Sequence, residues 1–323
     1  MNATVRAGVD EAGLGPLLGP LCIGYSIFEI PGENISLRKL LRAACAGENS
    51  KINENDARVR VCDSKRLHRG KHKFEHLEHT ALSFLVASNG GKPIDNIAEV
   101  LQFGVTRPGV FNNYPWYCDT DAKIPVAASR DAVMRSAEKI LTACERNRVK
   151  ILELGTRVVP ELELNDLFHK LNNKSLALFE SVSPIFARVG EYAAKRPLLV
   201  CDRHGARAAY APLLSKAFGG AWIKIIKEAR GESLYQIAAE NGRVRVVFTE
   251  KGESKSFACA LASCLAKYAR ELAMNRFNHY FSKIAPGVRP TAGYYTDGKR
   301  YLNEAGPALR AAGIDTAALK RNR

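Results

Sequence analysis

Several absences narrow this chain before any motif is considered. Its eight cysteines (Cys22, Cys45, Cys62, Cys118, Cys144, Cys201, Cys259 and Cys264) form no CxxC pair. They are therefore expected to be reduced thiols of a cytoplasmic protein rather than a disulfide framework. Cys22 and Cys201 lie inside apolar runs and suit small core hydrophobes. No apolar run is long enough to cross a bilayer, which excludes a membrane-spanning helix. The opening MNATVRAGVD has no cationic start followed by an apolar stretch, so no secretory leader is expected. Internal repeats and low-complexity segments are also missing. Acidic residues are outnumbered, 33 Asp+Glu against 48 Lys+Arg, for a formal net charge of +15. That excess favours a polyanionic partner, of which nucleic acid is the commonest.

What is present is ordinary for a soluble globular protein: 323 residues, 46% hydrophobic and 25% charged, enough to bury a sizeable core. The most informative stretch is Val5 to Pro20, VRAGVDEAGLGPLLGP. Val5 to Val9 suits a short buried strand that delivers Asp10 and Glu11 to a turn rich in glycine and proline. Neighbouring side chains of a strand point to opposite faces, so the two acids share a site only if the strand ends or kinks there. Gly13 and Gly15 permit such a turn. Acids at the end of an apolar strand are expensive to bury without a positive partner, and a divalent metal is the obvious one. A solvated strand end is the simpler alternative.

Leu21 to Ile30 is expected to be a second strand and hairpin partner of the first, ended by Pro31 and Gly32. Ser36 opens a helix-like stretch, LRKLLRAACAG, and a polar loop covers Glu48 to Arg58. Val59 to Cys62 leads into Asp63-Ser64-Lys65. A helix from Arg69 to Ala87 places His68, His72, His76 and His79 at helical spacing, either as a metal-binding face or as a solvated or phosphate-facing one. The region 92–148 looks like an insertion, with a helix at Ile94 to Leu101 and another from Ser129 to Asn147, capped by Ser129. Its aromatics Phe111, Tyr114, Trp116 and Tyr117 suit either base stacking or a small core under a long loop. Val149 to Val159 suits a strand, and Asn165 to Ala194 a helical stretch kinked or split at Pro184. Leu198 to Cys201 is a strand ending in Asp202. A helix (Ala206 to Phe218) and strands at Ala221 to Ile226 and Arg243 to Phe248 follow. One long helix is expected from Glu253 to Ala273 and a last one from Gly298 to Ala312, before a basic tail, Lys320 to Arg323.

Four blocks, in order, resemble the type 2 and type 3 ribonucleases H: GVDEAGLGPLLGP, CDSKRL at Cys62 to Leu67, KGESKSFACALASCLAKYARE at Lys251 to Glu271, and GYYTDGKRYLNEAG at Gly293 to Gly306. The resemblance implies an α/β fold of the ribonuclease H type, a mixed five-stranded sheet flanked by helices. It would occupy 1–323 as one domain, with the insertion at about 92–148 and a helical C-terminal segment, 254–323. It implies a metal-dependent endoribonuclease that hydrolyses the RNA strand of RNA–DNA hybrids to 5′-phosphate and 3′-hydroxyl ends; a monomer with no membrane partner is expected. Asp10, Glu11, Asp202 and Glu253 would be both catalytic residues and ligands of a two-metal Mg²⁺ or Mn²⁺ site, since hard cations prefer oxygen ligands. Gly13, Leu14 and Gly15 would touch ribose 2′-hydroxyls through their backbone, Lys65 a phosphate, and Tyr294 the sugar beside the cut.

The chain departs from the family's pattern in places. Leu14 stands where type 2 members usually carry Arg, Glu253 follows the type 3 pattern, and Arg203-His204-Gly205 replaces the usual Gly-Asn after the third acid. With nine residues before Asp10 in this sequence, the N-terminal domain of type 3 members is not expected. Two rivals stand beside the nuclease: a nucleotide-phosphate cradle built on Gly13, Gly15 and Gly19, and an inactive nucleic-acid-binding protein that keeps the fold.

Overall fold

The structure, a computed structural model, describes residues 3–47, 50, 56, 58–68, 70, 72–118 and 122–322. Most of the expected loop 48–58 lies outside these residues, as do Arg69, which opens the expected His-rich helix, and Arg323 of the basic tail.

The apolar runs become strands: β1 (Thr4–Ala12), β2 (Leu21–Ile30), β3 (Cys45–Ala46), β4 (Val59–Arg60), β5 (Lys150–Val159), β6 (Leu198–Asp202), β7 (Ile223–Ala229), β8 (Glu232–Ala239) and β9 (Gly242–Thr249). Seven of them form one mixed sheet in the order β5-β2-β1-β6-β9-β8-β7, and β3 and β4 make a short parallel pair apart from it. The expected class, a mixed sheet flanked by helices with a helical C-terminal part, is what the chain forms. The strand number differs, seven instead of five. The extra length between Asp202 and Glu253 is responsible, for it adds β7 and β8, which extend the sheet antiparallel from β9 and leave β7 at the edge.

β1 and β2 form the expected hairpin, in register from Thr4↔Ile30 to Ala12↔Cys22. β6 runs parallel to β1 on its other side, and β9 parallel to β6. The C-terminal ends of β1, β6 and β9 therefore emerge together, and all the acids carried by them arrive at one end of the sheet.

Alternation along β1 sends Val5, Ala7 and Val9 into one core, with Phe179, Val182 and Phe186 of the helix Lys174–Gly190. Arg6, Gly8 and Asp10 fall on the other face. There the helix Phe257–Ile284 lies against β1 and β2, and a Cβ on Gly8 would overlap the backbone N of Cys259, as one on Gly24 would overlap the carbonyl of Ala262. Glycine at these two positions lets helix and sheet touch backbone to backbone.

Several element boundaries differ from expectation. The stretch after Ser36 is helical only over Leu37–Leu40, and the helix before β7 only over Ala211–Ala217. Residues 161–190 split at Asn172 and Asn173, not at Pro184, which sits inside Lys174–Gly190. Asn172 adopts the left-handed conformation that Asn tolerates, and the Asn173 side chain caps the next helix through the Leu176 N–H at 3.0 Å. The expected Glu253 to Ala273 helix is two: one turn, Gly252–Lys255, then Phe257–Ile284, separated by extended Ser256, whose hydroxyl caps Cys259 N.

Phe111, Tyr114, Trp116 and Tyr117 are buried, and Trp116 packs on Phe281 with centroids 5.7 Å apart, so this group is core and not a stacking platform. The buried Glu78 carboxylate fastens the same region, accepting hydrogen bonds from Val126, Ala127 and Ala128 N–H and from the Tyr268 hydroxyl. All eight cysteines are free, seven buried and Cys118 exposed. Among the described residues no helix is long and apolar enough to cross a membrane.

Candidate active site

Three chain segments bring acids to the open end of the sheet. Asp10 and Glu11 stand near the end of β1. Asp202 ends β6, with Val9 paired to Cys201 and Asp202 to Thr249 in the parallel registers. Glu253 belongs to the single turn after β9. Lys251, in the left-handed region at φ 57°, makes the sharp exit from β9 that starts this turn. A non-glycine residue held there is a strained conformation of the kind that collects at functional sites. Asp202 ties the exit in place, its Oδ1 accepting the Gly252 N–H at 3.2 Å.

β1 does not end at the acids. It continues to Ala12, with Asp10 opposite Gly24 and Glu11 opposite Ile23, whose side chain belongs to the core under Lys174–Gly190. Asp10 and Glu11 therefore leave the strand on opposite faces, contrary to the expectation of a kink. They meet only in each other's field at the sheet's end.

That field is strong. Burial pushes the Asp10 carboxyl up to about 7, against hydrogen bonds from Ser263 and the Glu11 N–H, and the charges of Asp202 and Glu253 add to the rise. Glu11 is raised well above the carboxylate range by burial, then by Asp10 and Asp202. Asp202 is raised by burial against the backbone N–H groups that it accepts from. Glu253 is raised by burial, and Asp202 and Asp63 push the same way. Lys65 opposes the rise at Glu11, Asp202 and Glu253.

Chemically this donor set fits a hard divalent cation, because it offers only carboxylate oxygens and each acid gains from a nearby positive charge. In their present rotamers the acids do not converge: among the described residues no group of three or more His, Cys, Asp or Glu side chains is gathered closely enough to hold a metal ion. His68, His72 and His79 of the His-rich face are engaged elsewhere, with Glu271, Glu75 and the Ser136 hydroxyl.

Of the residues expected to meet nucleic acid, Gly13 has φ 95°, and Gly15 is exposed with open space where a side chain would stand. Lys65 is exposed on the turn Ser64–Leu67, whose N-terminus Asp63 caps through the Lys65 N–H at 2.8 Å. Tyr294 is 54% exposed at the start of the helix Tyr295–Ala311. The preceding residue is bolted to the glycine loop: the Gly293 carbonyl accepts Leu17 N–H at 2.7 Å and Leu18 N–H at 3.1 Å.

Three structural participants were not singled out from the sequence. Ser263, inside the third block, hydrogen-bonds Asp10 and lies 2.8 Å from the Ser64 hydroxyl, linking the long helix, the Asp-Ser-Lys turn and β1. His204 is buried beside Phe248 and Tyr210 and pulled down to about 3 by burial, a neutral packing group. Arg321, expected in a basic tail, is 2% exposed beneath the glycine loop.

No protein-family model and no curated protein matches this sequence. Among solved structures it is similar to ribonuclease HII of Archaeoglobus fulgidus, solved in a complex with PCNA: 16% identity over 99% of this chain and 94% of that one, TM-score 0.44. It is also similar to ribonuclease H2 of Pyrococcus horikoshii OT3, at 13% identity over 98% of this chain and 92% of that one, TM-score 0.44. A mutant Bst-RNase HIII gives 12% identity over 98% of this chain and 66% of that one, TM-score 0.37. These three solved proteins are a ribonuclease HII, a ribonuclease H2 and an RNase HIII.

Proposed function

We propose that this chain is a metal-dependent endoribonuclease that cuts the RNA strand of RNA–DNA hybrids, working as a cytoplasmic monomer. The observation that carries the reading is the arrival of Asp10, Glu11, Asp202 and Glu253 from three separate segments within one another's field, beside a glycine loop and in a chain of net charge +15. Such a cluster is unfavourable for folding and has an obvious use once cations neutralise it.

In this reading the four acids hold Mg²⁺ or Mn²⁺, which when bound activates a water and stabilises charge at phosphorus. The peptide groups of Gly13, Leu14 and Gly15 meet the ribose 2′-hydroxyl, the group that distinguishes RNA from DNA. Lys65 holds a backbone phosphate as a point charge, and Tyr294 rests on the sugar beside the cut. Water adds to phosphorus and the bond to the 3′-oxygen breaks. That oxygen takes a proton, giving a 3′-hydroxyl and a 5′-phosphate.

The test is a labelled RNA–DNA hybrid incubated with the full chain and Mg²⁺ or Mn²⁺, beside plain double-stranded DNA. The hybrid's RNA strand is expected to be cut and the DNA left whole, and Asp10→Asn is expected to abolish cutting while still binding the hybrid. One observation favours a second reading, an inactive hybrid-binding protein: the acids do not converge in their present rotamers. Retention of the hybrid without cutting under any divalent cation would establish that reading and overturn the first.

A further inference from the structure

The glycine loop is held from behind by a residue more than 300 positions away. Arg321 donates to the carbonyls of Gly13, of Leu14 (2.6 Å) and of Gly19 (3.3 Å). Its own N–H donates to the Leu17 carbonyl at 2.9 Å, and Lys320 pairs with Leu18 as an isolated antiparallel bridge. Asn165 clamps both flanks of Arg321: its amide donates to the Lys320 carbonyl at 2.9 Å and its carbonyl accepts the Asn322 N–H at 2.6 Å. Below the guanidinium, the fully buried Glu161 supplies negative charge, and its Oε1 accepts the Tyr117 hydroxyl at 2.6 Å. Burying a guanidinium is costly, and here its planar fork is used to collect several carbonyls at once.

In a trans peptide the C=O of one residue and the N–H of the next point in opposite directions. Fixing the Gly13 and Leu14 carbonyls inward therefore turns the Leu14 and Gly15 N–H groups outward. Neither N–H has a backbone partner among the described residues, and the space beside Gly15 is open. The third carbonyl, that of Gly19, precedes Pro20, which has no N–H to expose. A cation on a carbonyl also polarises its peptide and strengthens the N–H opposite as a donor.

We propose that Arg321 is a positioning residue for sugar discrimination: it presents the Leu14 and Gly15 N–H groups to the 2′-hydroxyl oxygen and thereby sets the preference for ribose over deoxyribose. This rests on the ribonuclease reading above. Lysine can neutralise the site, but as a point charge it cannot hold three carbonyls in the plane of a fork.

The experiment measures the affinity of the full chain, with cutting disabled by Asp10→Asn, for an RNA–DNA hybrid and for a DNA duplex of the same sequence. Arg321→Lys and Arg321→Ala are each compared with the parent. The proposal expects hybrid affinity to fall about ten-fold or more in both while duplex affinity holds, and in the cutting-competent background KM to rise more than kcat falls. Should Arg321→Ala fail to fold, Arg321→Lys carries the comparison. A hybrid preference left intact in folded Arg321→Lys would overturn this proposal alone, as would equal losses on hybrid and duplex. A parent chain with no hybrid preference would overturn the ribonuclease reading and this proposal with it.

Discussion

Two regions at the same end of the sheet are built on opposite principles. The glycine loop is finished at folding: Arg270 reaches the carbonyls of Pro20, Leu18 and Ala292, Arg321 those of Gly13, Leu14 and Gly19, and Gly293 accepts the N–H groups of Leu17 and Leu18. The carboxylate cluster beside it holds four acids, each raised by burial, with Asp10, Glu11 and Glu253 raised further by acidic neighbours. A surface of neutral peptide groups, if it reads a sugar as proposed above, gains from being fixed in advance, because ordering it later would weaken binding. Like charges cannot be fixed in advance without loss, so their geometry is left for a counter-charge to complete. One region should therefore lose stability when its polar groups are removed, and the other should gain it.

The largest effect is expected on the loop side. Arg270 is 1% exposed, and Arg270→Met leaves three carbonyls without their donor. Stranding such groups costs about 3–5 kcal/mol in total. Urea denaturation of the two proteins measures it, and a loss under about 1 kcal/mol would mean that the loop does not depend on its buried guanidinium.

On the carboxylate side the sign reverses. The folded state holds the Asp10 proton up to about 7 whereas the ordinary value is 3.8. Between about 4 and 7 the folded state therefore binds more protons than the unfolded state, and in metal-free protein Asp10 makes stability fall as pH rises through that window. Asp10→Asn removes this dependence and should stabilise the EDTA-treated protein at pH 8 by on the order of 2–4 kcal/mol, with little effect at pH 4. Mn²⁺ at about a hundred times its Kd should add about 2.7 kcal/mol to the wild type, and much less to the variant. Parallel stability–pH curves for the two proteins in EDTA would break the contrast.

The two regions also differ in how far they could be anticipated. The acids lie in runs whose local pattern is informative: apolar runs followed by Asp10-Glu11 and by Asp202, and a glutamate at a helix start. Their opposite departure from β1 was harder to foresee, because whether a strand stops at Glu11 or runs on to Ala12 depends on β2, which pairs with it throughout. Strand β8 is not among the expected strands, although Asn241-Gly242 is a hairpin signal; the turn falls one residue earlier, at Glu240-Asn241, with Ala239 paired to Gly242. Pro184 drew the expected helix break because its effect is local, whereas the Asn172-Asn173 pair acted through a left-handed turn and a cap. Arg321 was out of reach: its acceptors lie at the other end of the chain, and a basic residue in a polar stretch has no pattern that marks it as buried. Nor do Gly8 and Gly24 announce the helix that presses on them.

The smallest effect separates the regions by what they bind. Lys65 is exposed, its side chain opposes the acids electrostatically, and its only described hydrogen bond is the backbone one to Asp63. Replacing it should leave stability within about 0.5 kcal/mol, as for most surface substitutions. If Lys65 holds a phosphate, Lys65→Met in the Asp10→Asn background weakens hybrid and DNA duplex alike. The slope of log affinity against log salt then becomes shallower by about 1, one phosphate contact's worth of released counterions. Arg321 variants should show the reverse pattern, an unchanged salt slope with a changed ratio of hybrid to duplex. Titrations at four salt concentrations distinguish the two. An unchanged slope in Lys65→Met would move Lys65 out of the nucleic-acid interface and leave it as the counter-charge of Glu11, Asp202 and Glu253. Removing it would then be felt by the acids and not by the bound strand.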